Sequence, residues 1–223
     1  MSGDRDLIER IRVEVLAAAK AMYARGLVEG TAGNVSARID AERAVLTPSS
    51  LSYDKMTLAD LVVVDLDGAV LEGTGSPTSE KALHLECLKA YPEVGGVVHC
   101  HATYASMFAV AQRPIPAGID EFVIYIGGDV PVGAYHPSGS DGLAHEVTAL
   151  LADRSAALMA NHGMVCVGKS VDDAMHSALV VEHNARIMWG SYALGGPVPL
   201  PPEARANFAG IYDFVRKHMW TAV

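Results

Sequence analysis

The first clear pattern along the chain is helical. Between residues 6 and 26, Leu7, Ile8, Ile11, Val15, Ala18, Ala19 and Met22 recur at three- and four-residue steps, and Gly26 supplies a stop. A Gly-rich turn follows, Glu29-Gly30-Thr31-Ala32-Gly33-Asn34, and then two short strand patterns near 35–39 and 44–47. Thr47-Pro48-Ser49-Ser50 reads as a polar loop, and LVVVDLDG at 61–68 as a strand ending in an Asp-Gly turn. Pro77-Thr78-Ser79-Glu80 opens a helix that runs to about Ala90, with Thr78 or Ser79 as its cap. GVVHCHA, from Gly96, is the next strand, and 103–112 the next helix. Strands are expected near 121–126 and 130–134, either side of Gly127-Gly128, and a helix over 140–152. AALMA and MVCVG predict two strands around Asn161-His162-Gly163. Two helices, about 171–193 and 202–219, close the chain, split by Gly195-Gly196-Pro197 and Pro201-Pro202.

Strands and helices mix here without the strict alternation of a doubly wound parallel fold. The pattern points to an α/β protein with a mostly antiparallel or mixed sheet and helices on both faces. No linker interrupts it, so residues 1–223 are expected to form a single domain. A chain of 223 residues, half of them hydrophobic and 19% charged, can build a substantial core. The net charge of -9 argues against a nucleic-acid backbone binder. No apolar run approaches a membrane span, and Met1-Ser2-Gly3-Asp4-Arg5-Asp6 lacks the apolar core of a secretory signal. Cys87, Cys100 and Cys166 are odd in number and lie in apolar surroundings. They are expected to be buried free thiols, and the chain to be cytoplasmic.

The candidate chemistry begins with histidine. His99 and His101 are two residues apart in a strand, so both point to one face and Cys100 to the other. Two imidazoles placed in this way suit one metal ion, although H-x-H also occurs at strand ends with no ion. His162, followed by Gly163 in a turn, is a candidate third ligand or an ordinary surface histidine. Three histidines with one open position form a catalytic arrangement. His84, four residues after Glu80 on the same helical face, reads as a packing or supporting residue. Glu80 itself is either a helix-start glutamate or a general acid/base, and spacing does not separate the two. Thr31-Ala32-Gly33-Asn34, Thr47-Pro48-Ser49-Ser50 and Thr78-Ser79 are hydroxyl-, amide- and glycine-rich turns. Such turns hold phosphate through backbone N–H groups and hydroxyls, or are simply turns.

Taken in order, GTAGNVSAR, LTPSS, PTSEKALHL, VVHCHA and ANHGMVCVG resemble the class II aldolase/adducin family across about residues 7–195. Within it the chain resembles the L-fuculose-phosphate aldolases. The resemblance implies a three-layer α/β/α sandwich around a mainly antiparallel sheet, assembled as a homotetramer with active sites at subunit boundaries. It implies Zn²⁺, or another divalent transition metal, on His99, His101 and His162, and Glu80 as catalytic acid/base. The positions implied to bind a substrate phosphate are Thr31, Gly33, Asn34, Ser49, Ser50, Thr78 and Ser79. The implied reaction is reversible cleavage of a ketose 1-phosphate to an aldehyde and the enediolate of dihydroxyacetone phosphate. Two features depart from the family pattern. Ser50 stands where those aldolases often have glycine, and Gly118–Phe122 lacks their mid-chain tyrosine. Asp120, Glu121, Tyr125 and Tyr212 are the candidates for the second proton donor. Rival readings on the same scaffold are a decarboxylase of sugar or hydroxy-aromatic acids, a pentulose-phosphate 4-epimerase, and a non-catalytic module like the adducin head. Ser79 in place of a decarboxylase's lysine, Glu80 in place of an epimerase's aspartate, and the retained histidines favour the aldolase.

Overall fold

The structure, a computed structural model, describes residues 2–220. Its strands are β1 (Asn34–Arg38), β2 (Arg43–Leu46), β3 (Val62–Asp65), β4 (Val70–Glu72), β5 (Gly96–Cys100), β6 (Val132–Gly133), β7 (Ala156–Met159) and β8 (Gly163–Gly168). Its helices are α1 (Ser2–Ala24), α2 (Lys81–Ala90), α3 (Thr103–Val110), α4 (Asp120–Ile126), α5 (Asp141–Ala149), α6 (Val171–Ala193) and α7 (Pro202–Met219). The strands form one sheet in the order β4-β3-β2-β1-β5-β8-β7-β6. Every pairing is antiparallel except that of β6 with β7.

Strand alternation splits the core into two layers. Val35, Ala37, Val98, Cys100 and Cys166 face α1 and α6, where they pack with Val15, Met22, Val181 and Met188. Val97, Val165 and Val167 face α2 and α5, against Leu83, Leu88, Leu143 and Val147. Each such aliphatic side chain removed from water contributes roughly 1.5–3 kcal/mol. Two covered faces explain why β1, β5, β7 and β8 are buried along their whole length. All three cysteines are free and buried.

Several boundaries differ from expectation. The segment 121–126 is not a strand but lies in α4. Phe122, Val123 and Ile126 bury one helical face, and Gly127, at φ 99°, ends the helix by donating to the Val123 carbonyl. The five-residue run of aromatic and β-branched residues at 122–126 fits either period, and packing against α7 and α6 decides it. The strand expected at 130–134 shrinks to Val132–Gly133. Past the Asp65–Gly68 turn lies β4, an exposed edge strand that the pattern did not announce. The first residue of the Lys81–Ala90 helix is preceded by Glu80, not by Thr78 or Ser79, and the Glu80 side chain caps nothing. The Thr78 hydroxyl instead accepts from the Glu80 N–H at 3.3 Å.

The β7–β8 turn brings Gly163 against the end of β5. A Cβ at this position would lie 2.5 Å from the Cys100 carbonyl oxygen and 2.8 Å from His101 Cδ2. Gly163→Ala is therefore expected to cost about 1–3 kcal/mol, as overpacking does. Urea unfolding checks this, and a variant as stable as the parent would contradict the close approach.

Candidate active site

β5 is central, with β1 on one side and β8 on the other. The β1–β5 register sets Asn34 opposite His99, and the β5–β8 register sets Cys100 opposite Met164. Three ends thus meet at one rim of the sheet: the start of β1, the end of β5 and the start of β8. His99 is the penultimate residue of β5, His101 follows the strand, and His162 sits in the turn before β8. Their ring centroids are 4.8–4.9 Å apart. One ligating nitrogen from each lies within 4.8 Å of the others. Cys100 points into the opposite layer, where burial pushes its thiol up to about 12.

The protonation pattern follows from the contacts. His99 Nδ1 lies 2.9 Å from the Met164 carbonyl, so it carries the proton and donates. In the tautomer that ligates a metal, His99 offers the lone pair of Nε2. That atom lies 3.1 Å from His101 Nε2 and 3.0 Å from Glu80 Oε2. Glu80 Oε1 lies 3.4 Å from His162 Nε2. A single proton on His99 Nε2 serves one of these neighbours and leaves the rest opposed. A divalent cation accepts all of these lone pairs together. Two nitrogens bound tetrahedrally to one ion at about 2.0–2.1 Å stand about 3.3–3.4 Å apart, close to the 3.1 Å between His99 and His101. The donor set therefore fits a metal ion. Burial, then the charges of His99 and His162, pushes His101 down to about 4, and burial also lowers His162. Both are therefore neutral at neutral pH, the form able to ligate a metal.

Glu80 is buried at the start of α2. Burial alone would raise its carboxyl. Without an ion, a proton on His99 Nε2 bonds and attracts the carboxylate; that, then Asn34 and His162, outweigh burial and hold it well below the usual carboxylate range. Asn34 Nδ2 donates to Oε2 at 3.0 Å, and Ser138 Oγ donates to Oε1 at 2.9 Å. Ser138 was not visible in the sequence pattern, because it lies in an unremarkable polar turn 58 residues away. Gly139, beside it at φ +75°, rests on the Ser79 carbonyl. Behind Asn34 lies His84, fully buried.

The three hydroxyl-rich turns gather at this same rim. Ser49 N–H donates to the Ser76 carbonyl and Thr78 N–H to the Thr47 carbonyl, which zips the second turn to the third. Gly33, at φ +77°, sits where a Cβ would lie 2.8 Å from the His99 carbonyl oxygen, and Tyr53 Oη donates to the Gly33 carbonyl at 2.7 Å. Thr31, Ser50 and Ser79 are exposed and Ser49 half-buried, so their hydroxyls face outward. Asn34 and Thr78 are buried, with side chains already bonded. Ser50 adopts φ 59°, a left-handed conformation that glycine holds without strain. Of the second-donor candidates, Asp120, Glu121 and Tyr125 are exposed on α4. Tyr212 is buried on α7, bonded to Ser155 and Arg216.

Comparison with known proteins places this rim in context. The family model described as class II aldolase and adducin N-terminal domain matches residues 13–189. A 5-deoxy-D-ribulose 1-phosphate aldolase of Bacillus thuringiensis serovar kurstaki is 31% identical over 208 residues, covering 93% of this chain and 97% of the relative. An L-ribulose-5-phosphate 4-epimerase of Salmonella paratyphi B is 35% identical over 195 residues, 82% of this chain and 85% of the relative. Among solved structures, an L-fuculose 1-phosphate aldolase superposes with a TM-score of 0.87 at 30% identity, covering 92% of this chain and 97% of its own.

Two outcomes follow from this geometry. Alanine at His99, His101 or His162 should lower bound metal well below one ion per chain after dialysis, as read by elemental analysis. A full complement in all three variants would break the assignment. Burial, then the charge of His99, pushes His84 from 6.5 down to about 3, against a smaller opposing pull from Glu80. The unfolded chain takes up that proton near 6.5, so unfolding binds a proton between the two values. The stabilisation is complete above about 6.5 and is lost as pH falls towards 3. In chelator-treated protein, His84→Gln should reduce the slope of unfolding free energy against pH by about 1.4 kcal/mol per pH unit in that window. An unchanged slope would contradict a neutral, buried His84.

Proposed function

The chain belongs to the class II aldolase and adducin family, and from that premise we propose that it is a zinc-dependent aldolase. It cleaves a ketose 1-phosphate reversibly to dihydroxyacetone phosphate and an aldehyde. The observation that carries the reading is the Glu80 carboxylate, held 3.0 Å from His99 Nε2 and 3.4 Å from His162 Nε2. An acid/base group thus stands at the place where three imidazole nitrogens converge. His99, His101 and His162 are the ligands. The bound ion supplies Lewis-acid stabilisation of negative charge on the substrate's oxygens. A three-nitrogen set favours zinc, and imidazole also accepts iron, cobalt or nickel.

The chain's own groups do the rest. Loss of the C4 hydroxyl proton breaks the C3–C4 bond, the electron pair passes towards the C2 carbonyl, and C3 must then gain a proton. Glu80, ionised at rest, removes that proton in synthesis; in cleavage it first takes a proton from solvent and then gives it to C3. Asn34 and Ser138 hold the carboxylate in place from either side. Thr31, Gly33, Asn34, Ser49, Ser50, Thr78 and Ser79 bind the phosphate through hydroxyls and backbone N–H groups, which tolerates the acidic net charge of -9. The C4 hydroxyl proton goes to a group supplied across a subunit boundary of a homotetramer. Asp120, Glu121 and Tyr125 are exposed and available for this, whereas Tyr212 is committed within its own chain. Trp189, Tyr192 and Leu194, exposed at the end of α6, offer apolar surface for assembly. No helix among the described residues is long and apolar enough to cross a membrane, and we place the protein in the cytoplasm.

One finding favours a second reading. The relative at 35% identity is named as an epimerase acting on L-ribulose 5-phosphate. That chemistry breaks and re-forms the same kind of bond without releasing fragments. Glu80, where that branch carries aspartate, supports the aldolase instead.

The test is chelator-sensitive release of dihydroxyacetone phosphate from L-fuculose 1-phosphate and from 5-deoxyribulose 1-phosphate. Release from either supports the reading. Epimerised L-ribulose 5-phosphate with no release from the 1-phosphates would replace it. Glu80→Gln should keep its metal and lose about 10²–10⁴ in turnover. Near-normal turnover would remove Glu80 from its role.

A further inference from the structure

The acid/base carboxylate does not stand alone. Asn34 Nδ2 donates to Glu80 Oε2 at 3.0 Å, His84 Nε2 lies 2.5 Å from Asn34 Oδ1, and Ser36 Oγ lies 2.7 Å from His84 Nδ1. All four residues are buried, His84 and Ser36 completely. We propose that His84 is a positioning residue for Glu80, acting through Asn34, with Ser36 fixing the tautomer of its ring. This rests on the role given to Glu80 above.

The direction of every link is dictated by the link before it. An ionised carboxylate only accepts, so Asn34 must turn its NH₂ towards Glu80. Its carbonyl oxygen then faces His84, which must present Nε2–H. The ring is neutral, so Nδ1 is bare and accepts from the Ser36 hydroxyl. No member can rotate or change tautomer without leaving a buried group unpaired, at about 1–3 kcal/mol. The chain therefore clamps one rotamer of Asn34 and, through it, one placement of the Glu80 oxygen nearest His99.

Stability alone does not account for this row of polar groups. Replacing both partners of a buried hydrogen bond by apolar groups of the same shape is close to neutral. Asn34 and Ser36 lie on the β1 face that looks at α2, and Val35 and Ala37 on the other face are apolar. Apolar residues at the α2-facing positions would pack that layer without the clamp. A buried, fully paired chain that ends on the acid/base group is an orienting device.

The discriminating pair is His84→Gln and His84→Asn, each measured in the metal-loaded full chain. A Gln amide nitrogen reaches the Nε2 position and can donate to Asn34. The shorter Asn reaches only the Nδ1 position, and so bonds Ser36 alone. Both variants should hold wild-type metal, because His84 is no ligand. His84→Asn should lower kcat about 10- to 100-fold with little change in KM, and His84→Gln should recover most of it. The cobalt(II)-loaded proteins give a readout independent of turnover. The visible spectrum should shift in His84→Asn, as Glu80 moves, and match wild type in His84→Gln. Equal kcat and equal spectra in the two variants would overturn the proposal. If the wild-type protein turns over none of the sugar phosphates, the proposed reaction fails, and the spectra alone decide this point. If neither variant folds, Ser36→Ala is the comparison. It should shift the same spectrum, and an unshifted spectrum would overturn the clamp.

Discussion

One point at the rim of the sheet governs this molecule: the meeting of His99 Nε2 with His101 Nε2 at 3.1 Å and with Glu80 Oε2 at 3.0 Å. His99 Nδ1–H donates to the Met164 carbonyl, so in the tautomer that ligates a metal the Nε2 lone pair faces those of its neighbours. A buried carboxylate costs several kcal/mol unless it is compensated. Hydrogen bonds from Asn34 and Ser138 offset part of that cost, but they do nothing for the opposed lone pairs of the histidines. A divalent ion relieves the whole arrangement at once. The same ion would supply the Lewis acidity that an aldolase of this family needs.

The fold serves that point by register. Antiparallel pairing sets Asn34 across from His99, and the tight approach of Gly163 to Cys100 and His101 brings the His162 turn against β5. The other face of β1 and β5 is ordinary aliphatic packing against α1 and α6. The chemistry therefore rests on a rigid, doubly covered sheet, where small displacements are resisted on both sides. The hydroxyl turns lie at the same rim because β1 starts there and β2 ends there, and because Thr47, Ser49, Ser76 and Thr78 zip two of them together.

Much of this was legible in the residues. The mixing of strands and helices pointed to a mostly antiparallel or mixed sheet with helices on both faces, the family resemblance implied three layers, and the H-x-H spacing put two imidazoles on one face. The failures have physical causes. Phe122 to Ile126 carries strand-forming residues, and only packing against α6 and α7 makes it helical. β4 is three residues long and exposed, too short to show a strand period. The Ser138 bond to Glu80 spans 58 residues, a distance at which no local pattern reports contact. Asn34 and Ser36 alternate with apolar neighbours as on a half-wet strand, yet all of β1 is buried. Their burial depends on His84 and Glu80 arriving from another element. Glu80 left two readings open in the sequence. Its carboxylate caps nothing and turns instead towards the histidines, which is the contact that a capping glutamate would lack.

The most direct test of the central claim is X-ray absorption at the zinc edge of the zinc-loaded protein. The account predicts one tightly held ion per chain, with imidazole scattering from three nitrogens at about 2.0–2.1 Å and the remaining scatterers oxygen. A sulfur scatterer at about 2.3 Å, or a site with no imidazole signature, would contradict it.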